Sequence, residues 1–236
     1  MTTSGTTTFN LDLADLVEEA YERCGSELRS GYDLRTARRS LNLLTIEWAN
    51  RGINLWTIEQ GQIPLVEGQA TYNLPVDTID LADYVIRTQS GINQNDISIS
   101  RISVDTYSAI PNKNTLGRPI QVWINRQSGA TDPVSGVRHP QINVWPTPDQ
   151  SNLYTFVYWR LRRMQDAGDG VNTPDIPFRM LPCLAAGLAY YLSIKIPAAL
   201  PRVEILKAIY EDQWLMASSE DREKASLRIA PRQYFS

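Results

Sequence analysis

Apolar positions recur at three- and four-residue spacing near both ends of the chain and alternate in short runs between them. At the N-terminal end Leu13, Leu16, Val17, Ala20, Tyr21 and Cys24 form one stripe, with Asn10 or Asp12 available as cap and Gly25 as stop, which predicts an amphipathic helix over 11–24. A second stripe, Leu34, Ala37, Leu41, Leu44 and Trp48, starts from Asp33, a favourable N-cap, and ends at Arg51 with Gly52 just beyond. These two helices are expected to pair as an antiparallel hairpin.

From Leu55 the pattern changes to extended runs separated by Gly, Pro, Asn and Asp. Strands are expected at 56–63, 70–74, 84–89, 97–102, 120–125, 141–145 and 154–162. The last shows the clearest alternation, with Tyr154, Phe156, Tyr158, Arg160 and Arg162 on one face. Residues 103–109 read instead as a short helix capped by Ser103 and closed by Pro111, and 126–140 as an exposed hairpin loop. Asp80 and Asp83 read as turn formers.

Helix returns at Pro177, a good first-turn residue, with Leu181, Leu184, Ala185, Leu188 and Tyr191 facing a core. Another helix from about Arg202 carries Val203, Leu206, Tyr210, Trp214 and Ala217. None of the 14 prolines precedes Pro64 and only Pro231 follows Pro201, so the long helices occupy the proline-free ends. The expected fold class is α+β: a four-helix bundle with a β-rich insertion and an extended C-terminal arm. Its parts are a flexible N-terminus (1–10), the first half of the bundle (11–54), the insertion (55–173), the second half (174–224) and the arm (225–236).

Composition narrows the chemistry. The 236 residues carry 23 Lys and Arg against 26 Asp and Glu, a net charge of −3, which argues against a generally basic nucleic-acid binder. One histidine, His139, and two cysteines, Cys24 and Cys183, are too few for a four-cysteine zinc site or a finger with paired cysteines and histidines, and the distant cysteines read as buried thiols. No cofactor or metal is expected, and no P-loop, dinucleotide fingerprint or nucleophile elbow occurs. The first ten residues lack the basic and apolar regions of a signal peptide, and the longest apolar stretch, 180–194, is broken by Pro182, Gly187 and Ser193, so no membrane role is expected.

Three residue groups could still carry function. Glu18, Glu19 and Glu22, or Asp80 and Asp83, could supply the carboxylate pair of a glycoside-cleaving enzyme such as a virion-associated peptidoglycan hydrolase, although a solvated helix face and turns account for them better. Tyr158, Trp159, Arg160, Leu161, Arg162 and Arg163 interleave bases with aromatics; they could contact nucleic acid, but an amphipathic strand whose arginines meet acids on a neighbour accounts for them better. Arg35, Arg38 and Arg39 form a second basic face. His139, after a glycine-containing loop, reads as an exposed loop histidine rather than a catalytic base.

The order of several motifs resembles the head-to-tail adaptor family of short-tailed bacteriophages, also called tail tubular protein A or packaged-DNA stabilisation proteins. The resemblance rests on Thr36-Ala37-Arg38-Arg39-Ser40-Leu41-Asn42 leading to Trp48, Arg51-Gly52 and Trp56; on Thr71-Tyr72-Asn73-Leu74-Pro75 with Asp77; on Ile142-Asn143-Val144-Trp145-Pro146-Thr147-Pro148 before the 154–158 strand; and on the final helix pair. It implies a structural virion protein rather than an enzyme. Such proteins form a ring of twelve subunits beneath the portal protein, extend the DNA channel without gripping DNA specifically and dock the next, distal tail (nozzle) component. It further implies that the arm, with Leu227, Arg228, Ile229, Arg232, Tyr234 and Phe235, reaches the portal, and that loops at 90–95 and 126–140 face the tail. Arg35, Arg38, Arg39, Arg160, Arg162 and Arg163 are then candidate interface residues.

Overall fold

The computed structural model describes residues 3–29, 31–52, 55–89, 91–126, 136 and 138–221; most of the 126–140 loop and the whole 225–236 arm lie outside these residues. In chain order the elements are α1 (Leu13–Cys24), α2 (Gly31–Arg51), β1 (Ile58–Pro64), β2 (Thr71–Asn73), β3 (Thr78–Thr88), β4 (Asn95–Ser98), β5 (Ser100–Arg101), α3 (Val104–Ser108), β6 (Gln121–Asn125), β7 (Gln141–Trp145), β8 (Tyr154–Arg162), α4 (Leu181–Ser193) and α5 (Val203–Glu220). The architecture is α+β. The chain forms two compact units, one from Met1–Trp56 with Met164–Ser236 and one from Thr57–Arg163.

In the helical unit α4 is the hub. Leu181, Cys183, Leu184, Ala185, Ala186, Leu188, Ala189 and Leu192 are all buried, so α4 is apolar around its circumference, the pattern of a helix enclosed by others. Helices α1, α2 and α5 each pack on it, while α1 meets α2 over fewer residues than it meets α4. The expected α1/α2 hairpin is therefore a minor contact, because α4 offers the larger apolar surface. Gly187 lets the helices close: a Cβ there would lie 2.8 Å from Leu44 Cδ2 and 2.9 Å from Tyr210 Cε2.

The helix ends follow local chemistry. The Asp12 carboxylate accepts the Asp15 amide at 2.8 Å, and Gly25, at φ 72°, closes α1 in the left-handed conformation that glycine adopts without a Cβ clash. Helix α2 starts at Gly31, so Asp33 lies inside its first turn rather than at its cap; there it faces the positive end of the helix dipole. Pro177 precedes a 3-10 turn, Phe178–Met180, and α4 begins only at Leu181 with Pro182 in its first turn. A second 3-10 turn, Pro197–Arg202, leads into α5. The segment after β8 belongs to this unit: Met164 is in the helical core, and the Leu13 and Ala14 amides donate to Asn172 and Gly170 carbonyls at 2.9 and 3.0 Å.

The β unit has two four-stranded sheets, ordered β1-β8-β3-β4 and β2-β7-β6-β5. One core, including Leu65, Tyr72, Ile86, Val144 and Phe156, draws side chains from both. Pairing is antiparallel except between β5 and β6. Strands β7 and β8 match their expected ranges, and α3 is capped by Ser103 as expected. Three expectations fail. Strand β3 begins at Thr78 rather than Tyr84, so Asp80 and Asp83 lie in a strand and not in turns; register shifts at Thr78/Asp80 and Leu81/Asp83 absorb them. The 97–102 run divides between the sheets, β4 pairing with β3 and β5 with β6. Trp56 lies in a 3-10 turn, Leu55–Thr57, and its indole donates to the Asp175 carbonyl at 2.9 Å.

Candidate assembly surfaces

The basic segment of β8 is largely neutralised within the fold. Glu59 on β1 sits opposite Arg160 on β8, and Asp77 lies just before β3 on the other side. Arg160 donates to Glu59 at 2.7 Å, to Asp77 at 2.6 Å and to the Thr78 hydroxyl at 3.1 Å, and Arg162 Nε donates to Glu59 at 2.6 Å. The Arg160 side chain is only 12% exposed, so its charge is spent on these acids. Burial alone would raise the Asp77 carboxyl, but the hydrogen bond and charge of Arg160 outweigh it and hold the group below its ordinary value. Arg163 is exposed, and its amide donates to the Asp77 carbonyl at 2.7 Å.

A second polar cluster ties three helices together. Arg51 on α2 pairs with Glu47 at 2.6 Å and with Glu211 on α5 at 3.3 Å, and its guanidinium lies 4.6 Å from the Trp214 ring centroid. Tyr210 on α5 accepts the Trp48 indole proton at 3.1 Å and donates to Glu47 at 3.3 Å, while Tyr191 on α4 donates to the other Glu47 oxygen at 2.5 Å. Burial, then the Glu47 hydrogen bond and charge, push the Tyr191 phenol up to about 12. Every group in this cluster answers another, which ties α2, α4 and α5 in register.

The carboxylates considered for hydrolysis are placed differently. Asp80 pairs with Arg101 at 3.1 Å and Arg126 at 2.9 Å, Glu19 pairs with Arg23 at 2.7 Å, and Glu18 and Glu22 are exposed on α1. His139 is half-buried, with Nδ1 3.0 Å from the Leu74 carbonyl, so it anchors the β2 end rather than sitting free in a loop. Both cysteines are buried, and burial raises Cys24 to about 11 and Cys183 to about 12. Among the described residues no group of three His, Cys, Asp or Glu is arranged to hold a metal, and no helix is long and apolar enough to cross a membrane.

The helical unit also bears surfaces that its own core does not use. On α2, Arg35 and Arg39 are exposed and make no ion pair among the described residues, whereas Arg38 meets Asp169 at 3.5 Å in an exposed pair. Leu43 and Ile46 continue the same outward face at 51% and 44% exposure. On α5, Ile205, Ile209 and Met216 are exposed opposite the buried Leu206, Tyr210, Trp214 and Ala217. Following only the inward stripe of α5 along the sequence misses this second apolar face; the one-residue offset of Ile205 and Ile209 from Leu206 and Tyr210 is the signal that reveals it. An open groove of about 680 Å³ between α1 and the start of α4 is lined by Phe9, Phe178 and Pro182 beneath Asp15, Glu18 and Glu22.

The buried chemistry is thus structural, and the unused chemistry lies on helix surfaces, the distribution of an assembly component. No curated protein matches the chain. A family model does, that of the SU10 adaptor protein, over residues 11–230 and so through both units. With nearly its whole length matched, the chain belongs to the SU10 adaptor family, and it is a structural head-to-tail adaptor of bacteriophage virions.

Proposed function

We propose that the protein forms a ring of twelve subunits beneath the portal, continues the DNA channel and docks the next tail component. The observation that carries this reading is the adaptor-family match through both the helical and the β unit. The four long helices act as the bundle from which the ring is built. The arm, through Leu227, Arg228, Ile229, Arg232, Tyr234 and Phe235, engages the portal, and the β-unit loops at 90–95 and 126–140 meet the distal tail protein. Arg35, Arg38 and Arg39 serve subunit contacts, while Arg160 and Arg162 act mainly as internal ties and Arg163 remains at the surface. A chain of net charge −3 lets DNA pass without a basic grip.

Purified protein mixed with portal rings and imaged by negative stain is expected to add density with the portal's rotational symmetry. A version lacking residues 225–236 should keep its circular dichroism spectrum but be retained less on immobilised portal. No added density would reject the adaptor placement, and unchanged retention of the truncated chain would reject the role of the arm.

A further inference from the structure

Two exposed helix faces match each other better than either matches water. The outward stripe of α2 runs Tyr32, Arg35, Arg39, Leu43, Ile46, and that of α5 runs Ile205, Ile209, Asp212, Met216; each lies on the side of its helix away from the shared core. Helix α5 is consequently apolar on two sides, which in a helix at the surface marks a partner. Residues Ile205 and Ile209 also line an open groove of about 380 Å³ together with Leu206, Ala186, Arg23 and Arg202, a space for an incoming side chain.

The occupant is identified by charge and spacing. Arg39 precedes Ile46 by seven positions and Asp212 follows Ile205 by seven, so each charge sits about 10 Å along its helix from its apolar anchor. Laid antiparallel, Ile46 meets Ile205, Leu43 meets Ile209 and Arg39 meets Asp212, with the stem of Arg35 over Met216. A parallel register can also set Arg39 on Asp212, but it leaves Ile46 opposite Ser219 and Ile209 opposite Thr36, so the antiparallel one buries more of both apolar faces. Arg39 and Asp212 make no ion pair within the described residues of the chain, so both are available. The geometry points to a heterologous interface in which the outward face of α2 packs antiparallel on the outward face of α5 from a second copy of this chain. Two different complementary faces on one subunit are what a closed ring requires. The inference rests on the ring reading above and gives it a specific seam.

The test uses the full chain over a concentration series, alone and on portal rings, with mass photometry as readout. Wild type is expected to associate beyond a dimer, Arg39→Glu to weaken association by at least about tenfold, and Arg39→Glu with Asp212→Arg to recover it, because like charges at this position repel while the swap restores attraction. Ile46→Cys with Ile205→Cys should give a ladder of oxidised multimers, each single variant no more than dimers; the native thiols are buried and do not compete. If wild type associates but Arg39→Glu associates equally and the cysteine pair gives no ladder, the seam is elsewhere and the ring stands. Weakening without rescue by the swap rejects the Arg39–Asp212 register. If wild type stays a single subunit throughout, even on the portal, and no ladder forms, the ring reading falls and takes this interface with it.

Discussion

Replacing Arg160 with methionine should turn a stabilising cluster into a repulsive one. Methionine keeps much of the buried stem volume but leaves Asp77 without its guanidinium and Glu59 with Arg162 alone. Breaking a fully buried ion pair costs about 3–5 kcal/mol, but Glu59 and Asp77 are 44% and 42% exposed, so water screens them and the expected loss is about 1–3 kcal/mol. At an m-value of about 2 kcal/mol per molar, this lowers the urea midpoint of the β unit by about 1 M. Hydrogen exchange resolved on peptides from β1, β3 and β8 localises the change. The pH dependence is the sharper signature. In the wild type the folded Asp77 carboxyl lies below its ordinary value, so its contribution is present above about pH 4 and is lost as the pH falls through the depressed folded value. Without Arg160 the effect of burial is opposed only by the Asp77 backbone amide and the charge of Arg162, so the depression shrinks and the variant should lose less stability on acidification than the wild type does. An Arg160→Met protein whose stability lies within about 0.5 kcal/mol of wild type and whose acid profile runs parallel to it would show that the cluster is ornamental.

Two further perturbations probe the helical unit. Gly187→Leu drives a branched side chain between Leu44 and Tyr210 and should destabilise by about 3 kcal/mol or more, read by thermal melting, whereas Gly187→Ala should cost less because the gain in helix propensity of about 1 kcal/mol offsets part of the clash. A stabilised Gly187→Leu would contradict the close approach of the helices. The two thiols, at about 11 and about 12, should react with a disulfide reagent at pH 8 only as fast as the helical unit opens and at once in denaturant, and rapid labelling of either in the native protein would contradict their burial.

Sequence pattern alone carries the elements whose apolar positions keep a clean period. Helix α1, with its cap at Asp12 and stop at Gly25, presents one apolar stripe to its core, and the alternating Ile142 and Val144 of β7 and Tyr154, Phe156 and Tyr158 of β8 all enter the core of the β unit. Strand β3 could not be read in full: its bulges interrupt the period of two, and polar Asp80 and Asp83 mimic a turn. Helices α1 and α2 do meet, but chain adjacency says nothing of α4, which comes from the far end of the sequence with more apolar surface and takes the larger share of α1. The acids opposing Arg160 and Arg162 come from positions roughly a hundred residues earlier, a pairing that only the sheet order creates. The outward face of α5 was visible in principle, but a helix apolar on two sides blurs its own periodicity.

The hub position of α4 has a consequence for biosynthesis. Helices α1 and α2 leave the ribosome first, yet the helix that covers their apolar faces follows only after the whole β unit has been made. At bacterial elongation rates the about 130 residues between Arg51 and Leu181 take on the order of 6–26 s, and the β unit, being continuous in sequence, can fold during that interval. The N-terminal helices meanwhile carry Leu16, Val17, Leu41, Leu44 and Trp48 without the cover that α4 later provides, a stage at which exposed apolar surface favours aggregation. The proposed pairing through the outward face of α2 is deferred as well, since the helices that dock behind that face are made last.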